Sequence, residues 1–145
     1  AEYADGLMIS VKDPKTAYEN VIEPARLKTK ELKKDEMSIH TYRWTMFAES
    51  DEEAWTALRS WRGLRAPNRL NELDPEALRI EADSFPREEI MSKFSRASSI
   101  AELETIYKPL VEEFNSEIIT IQISSINQEE TIKLLGKELL PKLRK

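Results

Sequence analysis

The sequence predicts an α/β fold in which parallel strands are joined by crossover helices. Segments typical of strands and of helices alternate along the 145 residues. A parallel pair of strands needs a long connection, and that connection is usually a helix. The order strand, helix, strand, helical excursion, strand, helix therefore predicts three parallel strands, with the excursion spanning about 63–97 before the last strand.

The three predicted strands suggest a section of a larger sheet. The first is the apolar run Leu7-Met8-Ile9, which follows a turn at Asp5-Gly6 and is typical of a strand buried on both faces. The second spans 38–47 and the third runs from Glu117 to Ile123. Three parallel strands alone would leave two open edges. We therefore favour a section of a TIM (β/α)8 barrel, in which 1–145 is a single partial domain.

Proline and capping signals predict where the helices begin. Asp13-Pro14 opens a helix that continues to about Lys34, and Pro24 should kink it. Gly63 should end the next helix. Further helix starts are predicted at Asp51, at Asp74-Pro75, at Phe85-Pro86, at a capping box of Ser99 with Glu102, and at a second capping box of Asn127 with Glu130.

The composition excludes several classes of protein. The chain has no cysteine and one histidine, so we expect no disulfide, no thiolate chemistry and no metal site. Its net charge of -5, with basic and acidic residues interspersed, gives no basic stripe for nucleic acid. No apolar stretch is long enough to span a membrane. We expect a cytoplasmic α/β protein.

Short stretches occur along nearly the whole chain in an order typical of one family. They are Tyr3–Ile9, Trp61–Leu64, Leu73–Glu76 with Ala82–Pro86, Ile90–Lys93, Ala97–Ser99 and Leu139–Arg144. Together they resemble the C-terminal part of the luciferase-like (β/α)8-barrel oxidoreductases, in particular the coenzyme F420-dependent glucose-6-phosphate dehydrogenase group. The resemblance implies the last three strands of the barrel, hydride transfer to or from F420, and a substrate that often bears an anionic group.

The resemblance also implies roles for three residues. Ser10 matches a hydroxyl residue that lies near the cofactor, while Lys12 and Lys93 match two lysines that bind the substrate phosphate. An arginine that the family carries early in the final helix has no counterpart, because Glu129 and Glu130 stand there. Two carboxylates would repel a phosphate by roughly a kcal/mol or more, which argues against glucose 6-phosphate itself. The family's acid and base residues lie upstream, so the catalytic residues are unknown.

Each of these residues also has an ordinary structural interpretation. Ser10 could be a strand-end hydroxyl, and Lys12 and Lys93 could be surface lysines. Trp44, Trp55 and Trp61 could form a stacking platform for an aromatic cofactor, but the helical spacing of Trp55 and Trp61 favours the core for these two.

Three functional hypotheses follow. The leading one is the C-terminal part of an F420-dependent oxidoreductase that is inactive alone. A sister hypothesis is an FMN-dependent luciferase-like monooxygenase. The third is a stand-alone, non-catalytic binding or scaffold module that oligomerises through its open sheet edges. The expected partner is the missing N-terminal half of the barrel or a second copy of the chain, and we expect a homo-oligomer.

Overall fold

The computed structural model describes residues 2–59 and 61–144, and in this part of the chain it contains one parallel sheet. The strands are β1 (Gly6–Ser10), β2 (Ser38–Phe47), β3 (Ser95–Ala97) and β4 (Ile118–Ser124). β2 lies at the centre. β4 pairs with one edge of β2, while β1 and β3 follow one another along the other edge. The predicted parallel sheet is confirmed.

β3 is a short strand that the sequence did not predict. It contains three residues and pairs with the end of β2, where Thr45 lies opposite Ser95. Three residues are too few to display the two-residue alternation by which a strand is recognised. The strand therefore forms because β2 continues beyond the end of β1 and leaves backbone groups that can be paired there.

The helices connect the strands and form the excursion between β2 and β3. They are α1 (Pro14–Ala17), α2 (Glu23–Glu31), α3 (Asp51–Ala57), α4 (Pro75–Asp83), α5 (Arg87–Met91), α6 (Ile100–Glu112), α7 (Gln128–Leu134) and α8 (Leu140–Leu143). Two π-helical turns (Tyr18–Ile22 and Leu135–Leu139) and a 3-10 turn (Arg62–Arg65) lie between them. Within the described ranges, every helix is too short or too polar to cross a bilayer.

The first predicted helix accommodates its internal proline with a π-helical turn. Pro24 has no N–H with which to bond the carbonyl four residues earlier. The turn just before it widens, so that the Glu23 N–H bonds to the carbonyl of Tyr18, five residues back. The helical path runs from Pro14 to Glu31 and ends slightly before the predicted Lys34.

Three predicted caps are present, one of them Asp13, which accepts a hydrogen bond from the Lys15 N–H at 3.2 Å, and two others are corrected. Asp74 accepts a hydrogen bond from the Glu76 N–H at 2.9 Å, and Ser99 accepts one from the Glu102 N–H at 3.3 Å. In contrast, Ser50 rather than Asp51 caps α3, because its hydroxyl accepts from the Glu53 N–H. The predicted capping box at Asn127 is wrong, since that side chain makes no cap hydrogen bond.

The predicted helix end at Gly63 is also wrong. α3 ends at Ala57, and Gly63 lies inside the 3-10 turn that follows. A Cβ on Gly63 would lie 3.3 Å from the backbone of α4 at Leu78 and Arg79. Glycine is therefore needed here for a close approach of two helical elements rather than to end one of them.

The main hydrophobic core lies between one face of the sheet and the helices α1, α2, α6 and α8, together with the two π-helical turns. Within it, the helical spacing of Leu103, Tyr107, Leu110 and Phe114 predicts one apolar stripe. All four side chains, the last just beyond the end of α6, are 0% exposed. The opposite face of the sheet, which we call the open face, is covered much less. Met8 of β1 is 72% exposed there, so the prediction that β1 is buried on both faces is wrong for this chain.

A second hydrophobic cluster covers only the C-terminal end of the open face. Met46 of β2 packs there against side chains from the excursion. Its buried members are Met46, Ala48, Ala54, Leu58, Ala66, Ala82, Ile90 and Phe94. The excursion between β2 and β3 therefore covers one end of the open face, while the segment around Met8 and Ile118 remains exposed.

Candidate active site

All strands end at the same edge of the sheet because they are parallel. The last residues of β1, β2, β3 and β4 are Ser10, Phe47, Ala97 and Ser124. In parallel α/β folds, ligands bind outside these carboxyl ends, where the loops supply variable side chains. The residues at this edge and on the adjoining open face are therefore the candidate site.

Ser10 lies at the end of β1, on an exposed part of the strand. It is paired with Tyr42 of β2, and the alternation of side chains puts it on the same face as Met8. Among the described residues, none forms a hydrogen bond with its hydroxyl. Ser10 is thus positioned where a ligand on the open face could reach it, and its predicted role stays a prediction.

The two predicted phosphate-binding lysines are both associated with the connection between α5 and β3. Lys12 reaches from the end of β1 and donates a hydrogen bond from Nζ to the carbonyl oxygen of Ser92, the residue before Lys93. Lys93 itself lies 3.7 Å from a carboxylate oxygen of Glu89, one turn earlier. The fold therefore brings both lysines to the connection between α5 and β3.

The open face carries a groove of about 460 Å³. Its walls come from β1, β2 and β4, and they combine apolar, aromatic and polar side chains. The lining residues are Met8, His40, Thr41, Tyr42, Ile118, Thr120 and Gln122. His40 is held by Ser38, whose hydroxyl lies 3.0 Å from His40 Nε2 and also donates to Glu117.

Aromatic rings lie between this groove and the excursion. The ring of Trp44 lies 5.0 Å from that of Trp61 and 5.8 Å from that of Phe94, both edge to face. Trp44 and Trp61 also line a small recess of about 200 Å³ together with Gln122 and Ile123. The Gln122 Oε1 atom is buried there and has no hydrogen-bond partner among the described residues.

Trp61 is therefore not simply a core residue, as its spacing suggested. It is 37% exposed and contributes one wall of the recess. Trp55, in contrast, is enclosed by two cations, because the guanidinium groups of Arg62 and Arg87 lie 4.4 and 5.0 Å from its ring. An aromatic platform thus exists, but it consists of Trp44 and Trp61, and their pairing depends on the tertiary fold.

A functional candidate that the sequence did not reveal is Arg65. Its guanidinium lies 5.2 Å from the ring centre of Phe94. Burial lowers the pKa of Arg65, the neighbouring charge of Arg69 lowers it further, and Tyr42 opposes the shift. Nothing in the local pattern around Arg65 distinguishes it from a surface arginine, so only the fold reveals this position.

A larger cavity of about 630 Å³ lies at the ends of β2, β3 and β4, and it is acidic. The carboxylates on its wall belong to Glu49, Glu53, Glu130 and Glu138. Glu130 is one of the two carboxylates that stand where the resemblance leads us to expect an arginine, whereas Glu129 pairs with Lys133 at 2.6 Å. This cavity disfavours an anionic group, in agreement with the argument against glucose 6-phosphate.

The most strongly shifted group has a structural role. Burial raises the pKa of Tyr107 to about 12. Its hydroxyl donates to the carbonyl oxygen of Arg43 at 3.1 Å and lies 2.8 Å from the Thr45 hydroxyl, inside the main core. Tyr107 therefore holds α6 against β2, and its phenol is neutral at physiological pH.

Comparison with known proteins identifies the fold but not the family. No protein-family model matches the chain, and no curated protein matches it either. A solved structure, an F420-dependent secondary alcohol dehydrogenase in complex with an F420-acetone adduct, superimposes on it with a TM-score of 0.75 at 21% sequence identity. The match covers 99% of this chain and 44% of that chain.

At this identity the likeness shows the fold. The parallel sheet and its helices match part of a TIM barrel, as the sequence predicts. The chain spans less than half the length of the enzyme that it matches. In a closed barrel the helices lie outside, so the open face with Met8, Tyr42 and Gln122 corresponds to the interior of the barrel.

Proposed function

We propose that this chain forms the C-terminal part of an F420-dependent oxidoreductase of the luciferase-like barrel class. In this proposal it provides the last three long strands and the excursion between the seventh and eighth. The observation that carries it is the match of 99% of the chain to part of an enzyme whose structure contains an F420-acetone adduct. The ordered sequence stretches, which resemble the same class, support it independently.

The residues on the open face fit a heteroaromatic cofactor. Trp44 and Trp61 offer apolar ring surface, and the unpartnered Gln122 Oε1 can accept a hydrogen bond from a ring N–H. Trp44 and Gln122 are register partners on β2 and β4, so these contacts lie side by side. Ser10, at the end of β1 on the same face, could contribute a hydroxyl near the cofactor. When bound, F420 would supply the hydride-transferring centre.

The substrate in this proposal is a small molecule with an anionic group. Lys12 and Lys93 support it, since Lys93 lies in the connection between α5 and β3 and Lys12 donates a hydrogen bond to the Ser92 carbonyl oxygen of that connection. Glu130 in the neighbouring cavity argues against glucose 6-phosphate and therefore against a strict glucose-6-phosphate dehydrogenase. We therefore propose membership of the broader group of F420-dependent enzymes, and not of the subgroup that is specific for glucose 6-phosphate.

The test is a cofactor titration on two proteins. One is the 145-residue chain, and the other is a chimera that joins this chain to the segment of the secondary alcohol dehydrogenase that it does not cover. We expect F420 fluorescence to respond to the chimera and not to the chain alone, and Ser10→Val to weaken the response. Binding of FMN but not F420 by the chimera would instead favour the monooxygenase hypothesis.

The second candidate function is a stand-alone binding or scaffold module. The observation that favours it is the exposure of Met8 and Ile118, at 72% and 50%, beside strand edges that lack partners in the described part of the chain. Sedimentation equilibrium tests it. A stable dimer of the 16.8 kDa chain that binds neither F420 nor FMN would favour the module, whereas a monomer that gains F420 binding in the chimera would exclude it.

A further inference from the structure

We propose that Arg65, assisted by Arg69, forms a binding site for an oxyanion such as phosphate. The site lies at the end of the open face that the excursion covers. The inference rests on the proposed function and deepens it, because it names the chemical class of ligand group that this part of the barrel interior takes. Both arginines belong to the excursion, and the predicted phosphate-binding residues do not include either of them.

The guanidinium of Arg65 is held in place but not satisfied. It is half-buried and lies 5.2 Å from the ring centre of Phe94, whose side chain is only 5% exposed and packs against Trp44. Its Nε atom is enclosed, and no described residue accepts a hydrogen bond from it. A guanidinium has five N–H donors in a fixed fork, so an enclosed donor without an acceptor indicates a missing partner.

The charge of Arg65 is also uncompensated. Arg69 is close enough to repel it, and the Arg69 guanidinium donates a long hydrogen bond to the Ala66 carbonyl oxygen at 3.5 Å. Within the described ranges, no carboxylate lies at ion-pair distance from Arg65 or Arg69. Two neighbouring cations, one of them half-buried, favour an anion that accepts bidentate hydrogen bonds.

The position of Arg65 connects it with the predicted lysines. Phe94, on which Arg65 rests, directly follows Lys93, and Lys12 is bonded to the carbonyl of Ser92. Lys12, which follows β1, and Arg65 of the excursion thus both contact the three-residue connection 92–94, which contains Lys93. The family's arginine is absent from the final helix, but Arg65 brings a third cation from another element of the fold.

Nuclear magnetic resonance of the 15N-labelled chain tests the site with inorganic phosphate as the probe. At constant ionic strength, we expect saturable shifts of the Arg65 Nε–H and of the Trp44 and Phe94 signals, with chloride giving none. Arg65→Gln should weaken phosphate binding roughly tenfold or more, because charge-assisted hydrogen bonds are lost. Arg65→Lys keeps the charge without the fork and should bind with intermediate affinity.

Arg79→Gln is the matched control, since it removes the same charge from an arginine that already pairs with Glu76. It should leave the phosphate shifts unchanged. Equal phosphate binding by the Arg65→Gln variant, or no saturable shift in the unmodified chain, would overturn the proposal. Titrations with glucose 6-phosphate and with F420 in the chimera then tell whether the oxyanion comes from substrate or cofactor, since the true source should shift the same Arg65 signal.

The two proposals fail separately. The phosphate titration uses the chain alone and does not depend on F420. The cofactor titration follows F420 fluorescence and does not depend on the Arg65 signal. If the chimera binds F420 but phosphate does not shift its Arg65 signal, only the anion-site proposal is refuted.

Discussion

Lys12 and Ser92 are 80 residues apart in sequence, yet the Lys12 ammonium donates a hydrogen bond to the Ser92 carbonyl oxygen. This contact ties the end of β1 to the connection between α5 and β3, which continues the same edge of the sheet. The two strands that share one edge of β2 are thus joined by a side chain as well as through β2 itself.

Replacing Lys12 should loosen this edge slightly. Lys12→Ala removes a charge-assisted hydrogen bond in an exposed setting, so we expect the free energy of unfolding to fall by about 0.5–1.5 kcal/mol. Urea denaturation followed by circular dichroism measures it. Lys15→Ala is the control, because the Lys15 side chain is 81% exposed and pairs with Glu19 at 3.9 Å, so its loss should cost under about 0.5 kcal/mol. Equal losses in both variants would mean that the hydrogen bond from Lys12 to the Ser92 carbonyl does not stabilise the fold.

The two helical glycines outside the strands should respond in opposite directions to alanine. A Cβ on Gly63 would meet the α4 backbone at 3.3 Å, whereas a Cβ on Gly136 would meet nothing within 4 Å. We expect Gly63→Ala to lower the free energy of unfolding by about 1–3 kcal/mol through overpacking. Gly136→Ala should raise it by about 0.5–1 kcal/mol, because alanine favours the helix.

Thermal and urea unfolding of both variants measure these changes. Stabilisation by Gly63→Ala would mean that the 3-10 turn and α4 are not in close contact. Destabilisation by Gly136→Ala would mean that this part of the last helix is packed against another surface.

Removing the buried hydroxyl of Tyr107 should weaken the contact between α6 and β2. Tyr107→Phe leaves the Arg43 carbonyl without its donor and should lower the free energy of unfolding by about 1–3 kcal/mol at pH 8. Tyr3→Phe is the matched control, since Tyr3 is 91% exposed, and it should change nothing measurable. Urea unfolding curves provide the comparison.

The same tyrosine predicts how stability changes at alkaline pH. Its pKa is about 12 in the folded chain and 10.0 ordinarily, so the folded state holds this proton more tightly. The stabilisation is complete below about pH 10 and is lost as pH rises towards 12, at about 1.4 kcal/mol per pKa unit. Stability of the unmodified chain should therefore fall more steeply above pH 10 than that of Tyr107→Phe. Parallel pH profiles of the two proteins would contradict this assignment.

The parts of the fold that follow from local rules could be predicted, and the parts that depend on contacts across the chain could not. Asp74-Pro75 fixes a helix start by itself, and the stripe with Leu103 and Tyr107 fixes which side of α6 is buried. In contrast, β3 exists because β2 offers it an edge, and Arg65 is recognisable only through Phe94. Lys12 and Lys93 were predicted by resemblance, but their shared location comes from the fold.

A charged residue at position 8 tests whether the open face is exposed to solvent in this chain. It is 72% exposed, so Met8→Lys should change the free energy of unfolding of the chain by less than about 0.5 kcal/mol. Ile39→Lys is the matched comparison on the opposite face, and it should unfold the chain because Ile39 is 1% exposed. In the chimera, where we expect Met8 to face the barrel interior, Met8→Lys should cost about 1–3 kcal/mol, since a charge would be buried. A chain unfolded by Met8→Lys on its own would mean that the open face is already covered, most simply by a second copy, and a loss of dimer in sedimentation would then identify that copy.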